Sequence, residues 1–181
     1  MIRCQNLGLD GVLLFESEIF KDSRGSFSET YRHADYLNFL PKDIEFIQDN
    51  ESVSGYGVLR GLHFQKPPFE QSKLIRVSEG KIQDVIVDIR KDSSTFGQHV
   101  TEILSKDNGK QIFIPKGFAH GFLTLSKTAI VNYKVDNYYS KDDESGIRYN
   151  DQDLSINWEL SLDNIIISDK DSKLPFLTDI K

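Results

Sequence analysis

The sequence predicts an all-β jelly roll. Three observations carry that expectation. Aromatic and β-branched residues alternate with polar ones through most of the length, the period-two signature of strands. Turn-forming residues recur between these runs, at Asp22-Ser23-Arg24-Gly25, Ser78-Glu79-Gly80, Asp107-Asn108-Gly109 and Pro115-Lys116-Gly117. Helical segments are scarce. Regular short strands with turn signals make a sandwich or barrel. With this many antiparallel strands, a jelly roll follows, its two sheets tapering into a cup with an open mouth.

The first predicted strands are Gly11–Phe20 and Gly25–Tyr31, punctuated by the turn at Asp22–Gly25. His33–Leu40 makes two helical turns, stopped by Pro41, whose ring does not fit a helix interior. Phe46–Ser54, Leu59–Phe64, Ser72–Val77 and Lys81–Ile89 follow, then Gly97–Leu104, Gln111–Ile114, Gly121–Leu125 and Ala129–Tyr138. The tail from Asn164 to Leu174 reads as another short helix. The acidic stretches Asp142–Glu144 and Asp151–Asp153 read as solvated loop faces, since loops run over the surface. No repeat, low-complexity segment or linker divides the chain, so residues 1–181 are expected to form one domain.

Composition narrows the function classes. A chain of 181 residues suits one domain with a real core, and 28% charged residues against 38% hydrophobic ones make it globular rather than disordered. The net charge of −6 argues against a nucleic-acid surface, though not against a small Arg/Lys cluster for a phosphorylated ligand. Cys4 is the only cysteine, which excludes an internal disulfide and fits a reducing compartment. The start, MIRCQNLGLDG, lacks the apolar run of a signal peptide, and no stretch approaches the ~20 apolar residues of a membrane helix. A soluble cytoplasmic protein, with neither nucleic acid nor membrane as partner, is expected.

Several residues interrupt the strand pattern with chemistry. "VLRGLHF", 58–64, sets Arg60 and His63 in an otherwise apolar strand. Strict alternation puts them on opposite faces. If both serve one site, the strand must break its period, and Gly61 is the natural place for a bulge. Lys73 shares a face with Ile75 and Val77, so it either snorkels from a strand end or sits in a pocket. His120, between Phe118 and Phe122, is either a satisfied core residue or a site residue. Tyr133 and Tyr139 share one face of "AIVNYKVDNYY", roughly 20 Å apart if the strand stays regular. That separation suits a long ligand with different chemistry at each end; two core tyrosines are the other reading. No two of the four histidines are spaced His-x-His, the pair that places two imidazoles on one strand face, so no metal is expected. Gly55, Gly57 and Gly61 miss the dinucleotide spacing, and neither a Walker loop nor a Gly-x-Ser-x-Gly elbow occurs.

The blocks "VLRGLHFQ", "VDIRKDSSTFGQ", "IFIPKGFAHGFLTLS" and "YKVDNYYS" together resemble the dTDP-4-dehydrorhamnose 3,5-epimerase family, metal-free members of the cupin-type jelly rolls. The likeness runs from about Phe15 to Trp158, with one further match near the C-terminus. It implies an isomerase that inverts C3 and C5 of a nucleotide-linked 4-keto-6-deoxyhexose through an enolate, with no cofactor. It implies His63 as base, Tyr133 as acid, and Lys73 with Arg60 for charge on O4. Asp171 would pair with His63, although Asp169 lies two residues away. Substrate contacts carried over are Arg24, Glu29, Gln48, Asp49, Asn50, His120, Glu144 and Lys170, with Phe27 lining the pocket and Tyr139 stacking on the nucleobase. The family's homodimers share N-terminal strands, so Arg24 and Glu29 are expected to serve the neighbouring site. A 3-only or 5-only epimerase, a ketoisomerase, a non-catalytic sugar-nucleotide-binding cupin and a metal cupin oxygenase or isomerase are the competing readings. Pro67-Pro68-Phe69 departs from the family pattern beside the expected site.

Overall fold

A computed structural model of the chain describes residues 2–180. In chain order the strands are β1 (Arg3–Asn6), β2 (Leu13–Glu16), β3 (Phe20–Asp22), β4 (Gly25–Phe27), β5 (Gln48–Gly55), β6 (Leu59–Gln65) and β7 (Lys73–Glu79). They continue with β8 (Lys81–Asp88), β9 (His99–Ser105), β10 (Lys110–Ile114), β11 (Phe118–Thr124), β12 (Thr128–Val135) and β13 (Glu144–Gly146). One sheet runs β1-β2-β10-β7-β12-β5 and the facing one β13-β6-β11-β8-β9, all neighbours antiparallel. This is the jelly roll that the alternation predicts.

Alternation sorts the strands' side chains between layers. On β8, Ile82 and Ile86 point between the sheets, where they meet Ile75, Val77, Ile112, Phe118, Phe122 and Val131 in the central core. Val85 and Val87 point the other way, into a second core closed by Ile147, Leu154, Trp158 and Leu177 from the C-terminal segment. A third core lies on the outer face of the six-stranded sheet, where Phe15, Leu74 and Phe113 meet Tyr36, Leu40 and Ile44. Burying a residue of this size removes roughly 1.5–3 kcal/mol of unfavourable exposure, so both outer covers are held by apolar contact. Among the described residues, no helix is long and apolar enough to cross a membrane.

The elements differ from expectation in places that side chains explain. The helix α1 spans only His33–Tyr36, a single turn. The tail forms separate 3₁₀ turns at Leu162–Asn164 and Asp171–Lys173, because the residues between them bridge to β6's entry at Val58–Ile166. Gly11–Phe20 is split, and only Gly25–Phe27 of the second predicted strand pairs. Strand β12 stops at Val135 rather than Tyr138. Beyond it, the Asp136 carboxylate takes the Ser72 N–H, and the Asn137 amide donates to Pro68 and Glu70 carbonyls in place of the ladder. Neither acidic stretch is wholly a solvated face. Glu144 opens β13, and buried Asp151 accepts the N–H groups of Asp153, Leu154 and Leu177, tying the tail down.

The break at Gly61 has the form the residue spacing demands. Cross-strand partners run His120–His63 and then Phe122–Arg60, so β11 advances two residues while β6 covers three. The extra residue returns Arg60 and His63 to one face. Gly61 sits at φ +131°, and a Cβ there would stand 2.5 Å from Gly121 Cα. Only a residue without a side chain permits both the dihedral and the close approach. Gly61→Ala is therefore expected to destabilise the fold by on the order of 2 kcal/mol or more, read as a lower urea midpoint. An unchanged midpoint would show that the β6–β11 contact tolerates a methyl group.

Candidate active site

A cavity of about 410 Å³ opens between the two sheets. Arg60 and His63 enter it from β6, His120 and Phe122 from β11, Lys73 from β7, Tyr133 from β12, and Asp171 from the tail. A larger cavity of about 770 Å³ adjoins it and shares Lys73, but lacks the imidazoles and Tyr133.

His63 Nε2 donates to the Asp171 carboxylate at 2.8 Å. Asp171, not Asp169, makes this contact. Burial raises its carboxyl pKa, but the bond and charge of His63 outweigh that and hold it below the usual range. A carboxylate accepting at Nε2 places the imidazole proton there and leaves Nδ1 with its lone pair. The Gly61 N–H also points to Asp171, at 3.4 Å, so the bulge and the anchor of His63 share one carboxylate.

Tyr133 stands on the opposite sheet, packed against the central core. Burial raises its phenol pKa, with Arg60 opposing and Glu144 adding, so it stays protonated at neutral pH. Burial pulls the Lys73 ammonium down to about 8, against the charges of Asp84 and Glu144. Arg60 is fixed across the mouth of the cup, donating to Ser54 Oγ at 2.9 Å and the Val53 carbonyl at 3.3 Å on β5. The site thus offers two imidazoles, a neutral phenol and two cations around one volume. Among the described residues, no group of three His, Cys, Asp or Glu side chains is arranged to hold a metal ion.

The other expected residues divide by face. Asn50 is the cross-strand partner of Tyr133 and Gln48 of Val135, so both lie on the cup side of β5, hydrogen-bonded to each other. Asp49 lies between them and points the other way, where it ion-pairs with Lys134. The strand period that brings in its neighbours carries it out. At the rim, Glu144 accepts from the Tyr139 hydroxyl at 2.6 Å and pairs with Lys170. That bond pushes the Tyr139 phenol up to about 12. Tyr139 therefore sits beyond the end of β12, not on its face. Arg24, Phe27 and Glu29 do not line this cavity. Arg24 pairs with Asp22 and Glu29 with Arg32, and Phe27 is 69% exposed on the β3–β4 hairpin, which joins neither large sheet.

Sequence reasoning missed Asp84. It is fully buried and accepts from His120 Nε2 at 2.8 Å. The available signal was a carboxylate in phase with Ile82 and Ile86, on the strand face that alternation turns inward.

The family model described as dTDP-4-dehydrorhamnose 3,5-epimerase matches residues 6–179. The chain belongs to that family. It is 49% identical over 165 residues to the dTDP-4-dehydrorhamnose 3,5-epimerase of Methanothermobacter thermautotrophicus, covering 90% of this chain and 88% of the relative. The Escherichia coli enzyme of the same name is 44% identical, covering 92% and 89%. A crystal structure of a dTDP-6-deoxy-D-glucose-3,5-epimerase from Legionella pneumophila, in complex with dTDP-4-keto-L-rhamnose, is similar with a TM-score of 0.95 and 42% identity, covering 100% of this chain and 95% of that one.

Replacing Asp171 by Asn removes the charge that fixes the His63 tautomer while keeping its shape. Turnover is expected to fall by ~10²–10⁴-fold, the usual worth of a positioned acid or base, with a lower thermal midpoint at neutral pH, where the carboxylate held below its usual range contributes stability. Full activity in Asp171→Asn would mean that His63 does not rely on this carboxylate.

Proposed function

We propose that this protein is an epimerase that converts dTDP-4-dehydro-6-deoxy-D-glucose to dTDP-4-dehydro-L-rhamnose by inverting C3 and C5. The observation that carries the proposal is a carboxylate-anchored imidazole and a neutral phenol entering one cavity from opposite sheets. Simple binding does not need an acid facing a base. Inversion does.

The C4 ketone acidifies the hydrogens on C3 and C5. His63 removes a proton from one face through Nδ1, and Tyr133 returns one to the other face. The intermediate is an enolate with charge on O4. Lys73 and Arg60 stabilise it, being cations already in place before the charge develops. Only protons move, so the scheme calls on no cofactor. His120 contacts the sugar. Gln48 and Asn50 take polar groups of the substrate on the β5 side, and Glu144 and Lys170 hold the rim. Tyr139 stacks on the nucleobase, a contact typically worth ~1–3 kcal/mol.

Arg24, Phe27 and Glu29 complete the neighbouring site of a homodimer. The exposed hairpin supports this: among the described residues, Phe20 and Phe27 stay 54% and 69% exposed, an apolar pair open to a partner. We place the enzyme in the cytoplasm, where its nucleotide-sugar substrate would be made.

The test is incubation with dTDP-4-dehydro-6-deoxy-D-glucose in heavy water, followed by NMR. Deuterium at both C3 and C5 of an inverted product is expected. Deuterium at one carbon alone would make the protein a single-centre epimerase, and none would refute the proposal.

A further inference from the structure

The acid–base scheme leaves the buried carboxylate of Asp84 without a task. Asp84 occupies the row of β8 that faces between the sheets, flanked by Ile82 and Ile86. Its Oδ2 accepts from His120, and its Oδ1 has no hydrogen-bond partner among the described residues. A buried carboxylate with a bare oxygen is costly unless a cation compensates it. His120 and His63 are cross-strand partners, roughly 5 Å apart at Cβ. Each is bound through Nε2 to a carboxylate, Asp84 and Asp171 respectively. The cup floor therefore carries two anchored imidazoles side by side, and the scheme uses only one as a base.

We propose that Asp84 is a positioning residue that fixes His120 with its proton on Nε2 and keeps the neighbouring Lys73 ammonium charged. This inference rests on the epimerase reading. Fixing His120 takes only one carboxylate oxygen, so it does not explain why a second, bare oxygen is buried beside it. Lys73 does. Asp84 is the foremost of the charges that oppose the loss of its proton on burial. Glu144, from β13, is the other, but it is already bound by Lys170 and Tyr139. Around Lys73 stand Arg60 and His63 from β6, His120 from β11, Tyr133 from β12 and Asp171 from the tail. Asp171 is committed to His63, and Arg90, in the adjoining cavity, to Asp88. Asp84 is thus the carboxylate with an oxygen left over. Fixing the His120 proton on Nε2 makes Nδ1 an acceptor for a substrate hydroxyl.

The test is the pH profile of kcat/KM for wild type and Asp84→Asn. The amide keeps the shape and can still accept from His120, but carries no charge. The oxyanion partner must be protonated, so wild-type kcat/KM should fall as pH rises through about 8. In Asp84→Asn the rate should drop at every pH, and its alkaline limb should move down by about one pH unit, a further ~10-fold loss at alkaline pH. An equal loss at all pH values would reduce Asp84 to a packing role and overturn the proposal. Should the variant not fold, ¹⁵N NMR of the wild-type enzyme still decides: His120 must be protonated at Nε2 through neutral pH, and an Nδ1–H tautomer would overturn the assignment. A wild-type enzyme without epimerase activity would instead sink the underlying reading.

Discussion

One hydrogen bond organises much of this molecule: His63 to Asp171, across 108 residues of chain. The imidazole sits in the middle of a sheet, while its carboxylate comes from a 3₁₀ turn, Asp171–Lys173, in an irregular tail. That tail must be brought back and held. The second hydrophobic core does so, with Trp158 and Leu177 packed on the outer face of the β6–β11–β8 layer. Asp151 and the Val58–Ile166 bridge add polar ties at either end of the returning segment. The cover on this face therefore delivers one anionic group to the site as well as burying apolar surface.

The same carboxylate reaches the Gly61 N–H, joining the anchor to the bulge. A regular strand would send Arg60 and His63 to opposite faces. The extra residue at Gly61 brings both into the cup, and the facing glycines let two strands approach closely enough to pair around it. A second register shift, between Ile130 and Val131 where β12 pairs with β7, lies away from the paired catalytic side chains, whereas the break at Gly61 is what assembles the chemistry.

Much of this was legible in the sequence. Alternation gave the sheets, and the three-residue spacing of Arg60 and His63 located the bulge. Resemblance assigned roles that geometry alone left open: Lys73 and His120 each had a bland reading that residue spacing did not exclude. Other features were hidden because they depend on distant partners. The stop of β12 at Val135 depends on side chains bonding to residues some 65 positions away. Asp151 looked like surface because its partner, the Leu177 N–H, arrives from the tail. Asp84 is hidden because an acidic residue in a strand usually faces water, and the imidazole it binds lies 36 residues away. The placement of Asp49 outward and Asn50 inward was available from period two alone.

The central claim is that His63 and Tyr133 work from opposite faces of the same sugar carbon. The most direct measurement compares deuterium exchange with inversion in two correctly folded variants. His63→Asn should lose both, because no enolate forms. Tyr133→Phe should still exchange on the His63 face while inversion falls by ~10²–10⁴-fold, so deuterated, uninverted substrate accumulates. Equal loss of exchange and inversion in Tyr133→Phe would contradict the two-face account and make the phenol necessary for forming the enolate itself.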